Sequence, residues 1–277
     1  MFPRPNHWLG IHPTAMPQIL RLVPVLLGAL LLASCGGMQG PTAADPRASR
    51  LNGLGYQPLR LQKTPGDSRY SGRFAVNGRD VRFLIDSGAN STDLNAALAT
   101  EVGIKPDRSI KVVSRGALGR PVTSKVGLGA LCAGSVTAQP FPCMLAPDDG
   151  RHTATSRYDG QMGLDALSGL AALVDLESGK LWIPGPEARN TRNGEILPLG
   201  RTKGLGFETL KLYRAGGLPH LLVESKIGKR RLTWVVDTGA EVTVLSAASA
   251  RRLGVPTAAS RSKIIDASGD RASVRVA

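Results

Sequence analysis

The chain has 277 residues, of which 42% are hydrophobic and 20% charged, enough apolar sequence for one large or two small globular domains. Its formal net charge is +14, yet the 35 Lys and Arg residues are scattered and aromatic residues make up only 4%. Helix-turn-helix and zinc-finger spacings are absent from the sequence, so composition argues against a nucleic-acid partner. An anionic membrane surface or an acidic partner fits the charge at least as well.

The N-terminal region contains an apolar run that is followed closely by a cysteine. Residues 22–33, LVPVLLGALLLA, form an apolar run that is too short to span a bilayer and suits the centre of a signal peptide. The run ends in Leu-Ala-Ser-Cys at 32–35, which resembles the lipobox of bacterial lipoproteins, whose Cys is lipidated. The resemblance implies a signal peptide over 1–34, a lipid on Cys35 and an outer-membrane position facing the periplasm. An ordinary secretory signal or an uncleaved anchor is the alternative.

Residues 35–54 are predicted to be a flexible tether, because residues 36–49 are rich in Gly, Pro and Ala. A β-rich stretch follows. FAVNGRDVRFLID, residues 74–86, alternates apolar and polar side chains around Asn77-Gly78, a strong signal for a β-hairpin. The second strand runs directly into Asp86, where a buried and unpaired carboxylate would be costly. This acid therefore calls for a functional explanation.

A short helical pattern after Asp86 ends at Gly103, and a β segment with a turn at Gly119 follows. Two cysteines lie beyond this turn, Cys132 and Cys143. In an exported chain an even number of cysteines suggests a disulfide, here across a hairpin. Two buried free thiols are the alternative. Metal-ligand spacing of the C-x-x-C or His-rich type does not accompany the cysteines, so we predict no metal and no cofactor.

The same pattern occurs a second time about 150 residues later. DTGAEVTVLSAASARRLGV, residues 237–255, aligns without a gap on DSGANSTDLNAALATEVGI, residues 86–104, with nine of nineteen positions identical. A hairpin around Gly228 precedes Asp237, and a β segment with a turn at Gly269 follows the helix. Self-similarity of this length indicates two related lobes rather than a solenoid.

The two copies differ in extent. The first continues through Gly163-Leu164-Asp165 to a closing β segment, whereas the second reaches only the counterpart of Val126. We predict a first lobe at 55–183, a linker at 184–204 and a second, incomplete lobe at 205–277. Either the sequence is a fragment, or the second lobe closes with fewer residues, or the first lobe pairs with that of another molecule.

The order of these elements resembles the retropepsin-like aspartic peptidases: a hairpin, Asp-Ser/Thr-Gly-Ala, a short helix, a flap-like hairpin, then Gly-Leu-Asp. One such tetrapeptide is a weak signal, but its duplication behind an apolar strand and before the same helix is specific. The resemblance covers 55–183 fully and 205–277 in part, and it implies a mainly β fold of two tandem acid-protease barrel lobes with short helices. The resemblance implies that the two acids are supported by Ser87, Gly88, Thr238 and Gly239. It also implies that the turns containing Gly119 and Gly269 are flaps.

The resemblance also explains the two acids. Two carboxylates about 3 Å apart cannot both ionise, so they share one proton and supply both a base for water and an acid for a carbonyl oxygen. The predicted catalytic pair is Asp86 with Asp237; the alternative is a homodimer in which two copies of Asp86 meet. The predicted function is an endopeptidase acting on polypeptides. The alternative is a non-catalytic periplasmic lipoprotein that uses this fold as a binding module.

The remaining candidate residues receive structural roles. Asp165 is predicted to be structural, and Asp93 and Asp266 to be solvated surface acids. His152 and His220 are the histidines outside the leader, and the sequence contains no G-x-S-x-G motif, which argues against a serine or cysteine hydrolase.

Overall fold

The computed structural model describes residues 45–63, 65–119, 121–146, 157–189, 210–215, 219–266 and 269–276. The predicted signal peptide and Cys35 lie outside these ranges. Within them, no helix combines the length and apolar character needed to cross a membrane. The elements are α1 (Pro46–Gly53), β1 (Tyr56–Arg60), β2 (Gln62–Lys63), β3 (Tyr70–Val76), β4 (Arg79–Ile85), β5 (Asp93–Asn95), α2 (Ala96–Glu101), β6 (Pro106–Arg115), β7 (Pro121–Ala133), β8 (Val136–Ala146), β9 (Gly160–Met162), α3 (Leu164–Gly169), β10 (Leu173–Asp175), β11 (Lys180–Pro184), α4 (Pro186–Arg189), β12 (Leu222–Ile227), β13 (Arg230–Val235), α5 (Ala247–Leu253), β14 (Ala258–Ile265) and β15 (Arg271–Val276).

The first lobe is built on an eight-stranded sheet in the order β2-β3-β4-β9-β5-β8-β7-β6. Strand β3 also pairs with β7, which closes six of these strands into a barrel. The alternation predicted for 74–86 places Val81, Phe83 and Ile85 in the barrel core, each fully buried. The predicted hairpin is confirmed, with Asn77 and Gly78 both at positive φ in its turn.

Strand β9 is the insertion that completes the first lobe. It lies between β4, to which it is parallel, and β5, to which it is antiparallel, although it comes about seventy residues later in the sequence. The approach is so close that a Cβ on Gly160 would lie 2.1 Å from the carbonyl oxygen of Asp93. Glycine is therefore required at this position.

The second lobe repeats the first with a constant offset of 151 residues. Hairpin β12–β13 corresponds to β3–β4, α5 to α2, and hairpin β14–β15 to β6 with the first part of β7. The structure thus confirms the mainly β, two-lobe prediction. Among the described residues from 210 onward, the buried apolar side chains are Leu222, Leu232 and Ala250.

Part of the predicted tether is a helix, so that prediction is wrong for its last residues. The side chain of Asp45 accepts a hydrogen bond from the amide of Arg47 at the start of α1, and Pro46 occupies the first turn. Leu51 then packs against Tyr56 and Trp182, which fixes the helix on the first lobe. At the other end of this lobe, Pro184 belongs to β11 and α4 follows, so the predicted linker also begins too early.

The predicted disulfide is wrong as well, because Cys132 and Cys143 are both free thiols. The turn of their hairpin is at 134–135, so Cys132 lies opposite Thr137, whereas Cys143 lies opposite Gly127. The two cysteines are therefore about five residues out of register, roughly 16 Å along the strands. Disulfide geometry permits Cα atoms at most about 7 Å apart.

Candidate active site

The two acids occupy the same local structure at the ends of equivalent strands. Asp86 follows β4 directly, and its Oδ1 accepts hydrogen bonds from the amides of Gly88 (2.8 Å) and Ala89 (3.0 Å). Asp237 follows β13, and its Oδ1 accepts one from the amide of Gly239 (2.8 Å). The turn residues after each acid thus hold the carboxylate in place.

The residues after the acids join the lobes through four hydrogen bonds. The amide of Ser87 donates to Thr238 Oγ1 and the amide of Thr238 donates to Ser87 Oγ, both at 3.0 Å. Each hydroxyl then donates to the opposite lobe, Ser87 to the carbonyl of Val236 and Thr238 to that of Ile85, both at 2.8 Å. The side chains of Ser87 and Thr238 therefore brace the two acid turns against each other. Because the pattern is reciprocal, it relates the two turns by an approximate two-fold axis.

The glycines after these residues bring the carboxylates together. A Cβ built on Gly88 would lie 2.4 Å from Cγ of Asp237, and one built on Gly239 would lie 2.4 Å from Cγ of Asp86. Each acid therefore occupies the space that a side chain on the opposite lobe would need. The pair that the structure assembles is Asp86 with Asp237 of the same chain.

The proximity of the two carboxylates changes the acidity of Asp86. Its pKa rises to about 7, first because burial disfavours the charged form and second because Asp237 is negatively charged beside it. The amide hydrogen bonds from Gly88 and Ala89 oppose this rise without cancelling it. Two acids in this arrangement hold one proton between them near neutral pH.

Asp165 has the predicted structural role. Its carboxylate accepts hydrogen bonds from the amide of Thr92 (3.0 Å), the hydroxyl of Thr92 (2.7 Å) and the amide of Ala166 (2.7 Å). The amide of Gly163 donates in turn to the Thr92 hydroxyl oxygen (3.0 Å). This network fastens the start of α3 to the segment that follows Asp86.

The second lobe shows the corresponding segment without this network. Thr243 is the counterpart of Thr92, and it forms no hydrogen bond with a described residue. Asp237 is itself exposed, whereas Asp86 is half-buried. The two halves of the dyad thus share a turn and differ in what packs behind it.

An ionic cluster between the lobes was not predicted. Arg69 pairs with buried Asp67 at 2.6 Å and reaches Glu241 of the second lobe at 3.4 Å. The hydroxyl of Tyr158 also donates to Asp67 (2.9 Å). The guanidinium of Arg69 holds the pKa of Asp67 well below its usual range. One signal of this cluster was available in the sequence. The 151-residue offset makes Glu241 the counterpart of Asn90, so the second acid turn carries a charged residue where the first carries an amide.

The two predicted flap turns are present and meet each other. Gly119 and Gly269 have φ values of 90° and 78°, which glycine adopts without strain. The amide of Leu118, in the first turn, donates to Oδ2 of Asp266, in the second, at 3.0 Å. The prediction that Asp266 is a solvated surface acid is wrong, because only 7% of this residue is exposed.

The prediction that Asp93 is a solvated surface acid is also wrong. Asp93 opens β5 beside β9, is half-buried, and accepts a hydrogen bond from the amide of Gln161 at 3.3 Å. Burial raises the pKa of its carboxyl to about 7. The tertiary insertion of β9 covers this acid, and the local sequence gives no sign of it.

Two family models match the two repeats separately. The aspartyl protease model matches residues 73–166, and the gag-polyprotein aspartyl protease model matches residues 223–277. Each match contains one of the two acids with its following Ser/Thr-Gly-Ala. The comparison therefore divides the chain at the same place as the internal repeat.

Curated relatives include the UBA domain-containing protein Mud1 of Schizosaccharomyces pombe, 30% identical over 48% of this chain and 40% of the relative. DNA damage-inducible protein 1 of Eremothecium gossypii is 28% identical over 47% of this chain and 27% of the relative. The chain thus spans less than half the length of these relatives.

Among solved structures, a retropepsin-like aspartic protease from Rickettsia conorii matches 46% of this chain and 90% of its own, at 15% identity and a TM-score of 0.34. The retroviral protease-like domain of Ddi1 from Leishmania major matches 41% and 86%, at 18% identity and a TM-score of 0.29. With the two acid turns and the two family matches, the chain belongs to the retropepsin-like aspartic peptidase family.

Proposed function

We propose that this chain is an aspartic endopeptidase whose catalytic pair is Asp86 and Asp237. The observation that carries the proposal is the contact of each carboxylate with the glycine of the opposite lobe, because it places the two acids side by side. The four hydrogen bonds of Ser87 and Thr238 hold that contact. The resemblance to polypeptide-cleaving enzymes supplies the substrate class.

The chemistry follows from one proton shared by two carboxylates. A water bound between them gives a proton to the ionised carboxylate as its oxygen attacks the carbonyl carbon of the scissile peptide. The protonated carboxyl gives its proton to the carbonyl oxygen, so a neutral tetrahedral diol forms. The protonated carboxyl then donates its proton to the peptide nitrogen, and a hydroxyl of the diol returns a proton to the ionised carboxylate. The carbon–nitrogen bond breaks to release an acid and an amine, and the pair again holds one proton. The raised pKa of Asp86 keeps this single proton available close to neutral pH.

The test is cleavage of an unfolded protein by the purified chain between pH 4 and 7, with and without pepstatin. We expect Asp86→Asn and Asp237→Asn each to reduce kcat/KM by about a thousandfold or more, because the residues of one catalytic unit act together. The matched control is Asp80→Asn, which removes an exposed acid paired with Arg73 and leaves activity unchanged. Cleavage that persists in both catalytic variants would contradict the proposal.

Assembly is part of the same proposal. The intrachain contact of Asp86 with Asp237 supports an active monomer. A homodimer that pairs two copies of Asp86 predicts instead a specific activity that rises with protein concentration, together with full activity of Asp237→Asn. Analytical ultracentrifugation beside the assay separates the two arrangements.

We further propose that the chain is a lipoprotein anchored through Cys35 and facing the periplasm. The support is the apolar run at 22–33 and the Leu-Ala-Ser-Cys sequence at 32–35. Mass spectrometry of the processed N-terminus tests it: Cys35→Ala should abolish the lipid and release the protein from membranes. A chain still lipidated or membrane-bound after this substitution contradicts the anchor.

A second candidate function is a non-catalytic binding module. The exposed Asp237 and the unbonded Thr243 favour it, because the second half of the dyad lacks the support that Asp165 gives the first. Such a module binds peptides without cleaving them, and Asp237→Asn leaves its affinity unchanged.

A further inference from the structure

A row of three side chains lies beside the catalytic acid on the first lobe. Strand pairing sets Leu84 of β4 opposite Gln161 of β9, and Gln161 opposite Asp93 of β5. Residues opposite each other on neighbouring strands share a face of the sheet. Leu84, Gln161 and Asp93 therefore stand side by side on one face.

This face is the one that carries Asp86. Side chains alternate along a strand, so Leu84 and Asp86 lie on the same side of β4, and Ile85 between them points into the core. Met162 and Leu94, next to Gln161 and Asp93, also belong to the core. The row consequently faces away from the barrel core and towards the side on which the dyad acts.

Asp93 carries a carboxyl group in this row without a compensating cation. It forms no ion pair with any residue in the described ranges, and its hydrogen-bonding partner is Gln161. The negative charge of Asp86 reaches it and raises the pKa of its carboxyl further, after burial. A cation that binds beside this half-buried carboxylate would stabilise its charged form.

The equivalent position on the second lobe is apolar. The 151-residue offset sets Val244 in the place of Asp93 and Val235 in the place of Leu84. Both valines are exposed, at 53% and 49%. A polypeptide lying across the dyad therefore meets an acid on one side of the scissile bond and an aliphatic surface on the other.

We propose that Asp93 is a specificity-determining residue that selects a Lys or Arg side chain on the first-lobe side of the scissile bond, while the Val244 side takes an apolar one. The proposal rests on the proposed peptidase function and deepens it by naming the substrate class. The proposal also fixes the direction in which the substrate binds, because a substrate bound the other way round would place its basic residue beside Val244.

The ionisation state of Asp93 decides how strong the selection is. The groups that face it are Asp86 after β4, Asp165 at the start of α3, the Cys143 thiol on β8 and the neutral Gln161 on β9. All the charged neighbours are acids, so the empty site favours the neutral carboxyl below pH 7. A bound ammonium or guanidinium favours the ionised form. Preference for a basic residue is therefore expected to grow between pH 5 and 7.5.

The experiment is a competition between two peptides that differ at one position near the scissile bond, Lys in one and its uncharged near-isostere norleucine in the other. Both peptides are cleaved in one tube, so the titration of the dyad affects both rates equally and cancels in their ratio. The long-range effect of the +14 net charge is nearly the same in each variant, so it cancels when the ratios of two variants are compared. We expect a kcat/KM ratio of about ten in favour of Lys at pH 7. Asp93→Asn should bring the ratio close to one, and Asp93→Val should reverse it.

Val244→Asp is the matched variant on the other lobe. It should leave the Lys preference at the first position intact and create a second one on the opposite side of the scissile bond. Thermal unfolding of each variant shows whether the fold is kept. A ratio that stays the same in Asp93→Val, in a folded protein, overturns the proposal.

A binding measurement separates failure of this proposal from failure of the proposed function. The same two peptides with a reduced, uncleavable scissile bond are titrated into the wild-type chain and into Asp93→Asn, and their Kd values are compared. If no peptide is cleaved but Lys still binds about tenfold tighter through Asp93, the peptidase function fails and the selection by Asp93 stands. Equal Kd values for both peptides on the wild-type chain overturn the selection.

Discussion

The two lobes share a local sequence around the acid and differ in what covers it. After β4 and after β13 the chain makes nearly the same turn, and in each the amide of the glycine two residues after the acid donates to its carboxylate. Behind the first turn, Ile85 and Leu94 are 0% and 1% exposed and belong to the core. In the second lobe their counterparts, Val236 and Leu245, are only half-buried. Nearly the same turn thus occurs with and without a packed core behind it.

Strands β8 and β9 account for the difference. In the first lobe β9 enters between β4 and β5, and β5 pairs with β9 on one side and with β8 on the other. Asp165 also fastens the segment after the acid. Among the described residues of the second lobe no segment takes this place, and residues 243–246 do not form a strand. The acid turn is therefore a local property of the sequence, and the burial around it is a tertiary one.

The largest effect expected from this comparison is at Leu94 and Leu245, which are the same residue at equivalent positions. Leu94 is fully buried in the core and Leu245 is half-buried. Leu94→Ala should lower the free energy of unfolding by about 2–5 kcal/mol, and Leu245→Ala by about 1 kcal/mol or less. Urea unfolding followed by tryptophan fluorescence measures both, since Trp182 lies in the first lobe and Trp234 in the second. Equal losses would show that the second lobe has a core like that of the first.

The second prediction concerns pH and the dyad. The pKa of Asp86 is about 7 in the folded chain against an ordinary value of 3.8, so between these values the folded state holds a proton that the unfolded state has lost. The free energy of unfolding should therefore fall as pH rises from 4 to 7, by at most about 1.4 kcal/mol per pH unit for this proton, and level off above. Asp93, with its raised pKa, contributes in the same direction.

Urea unfolding at intervals between pH 4 and 8 measures this slope. Asp86→Asn should remove one proton's share of it, and the exposed-acid control Asp80→Asn should keep the wild-type slope. The difference in unfolding free energy between wild type and Asp86→Asn should therefore decrease as pH rises over this interval. An increase in this difference with pH would contradict the shared proton.

The third prediction is at the glycines that touch the acids. Gly88→Ala and Gly239→Ala each force a methyl group against the opposite carboxylate, so each should cost about 1–3 kcal/mol of stability and about a hundredfold in kcat/KM. The control is Gly169→Ala at the end of α3, where a Cβ meets nothing within 4 Å. Its effect on activity should be negligible. A hundredfold loss confined to one of the two glycines would show that the acid turns are not equivalent.

Local pattern was sufficient for the parts of the site that repeat. Asp86, Asp237, Ser87 and Thr238 were predicted because each motif sits behind an apolar strand, and each acid does follow its strand, Asp86 directly and Asp237 after one intervening residue. The hairpin at Asn77-Gly78 was predicted for the same reason, since its signal lies within four residues.

Parts that depend on distant segments were not predicted. The local sequence around Asp93 predicts a surface acid, and Asp93 is covered only because β9, almost seventy residues away, pairs beside β5. The local sequence around Asp266 predicts the same, and its carboxylate is bound by the amide of Leu118 from the other lobe. The disulfide failed because the spacing of Cys132 and Cys143 does not reveal that the turn of the hairpin is off centre. The offset between the repeats does show one such difference in the sequence, because the position of the acid Asp93 in the first lobe is occupied by Val244 in the second.

The smallest effect expected is at the contact between the two flap turns, where the lobes meet away from the dyad. Asp266 accepts hydrogen bonds from the amide of Leu118 across the interface and from the amide of Asp270 within its own turn. Asp266→Ala removes both acceptors, so the Leu118 amide should exchange with solvent about tenfold faster, equivalent to about 1.4 kcal/mol. Asp266→Asn keeps an oxygen acceptor and should have a smaller effect. Because Leu118 belongs to the first lobe, hydrogen exchange at this amide reports the contact between lobes rather than loosening within the second turn, and unchanged exchange in Asp266→Ala would show that the turns do not meet in solution.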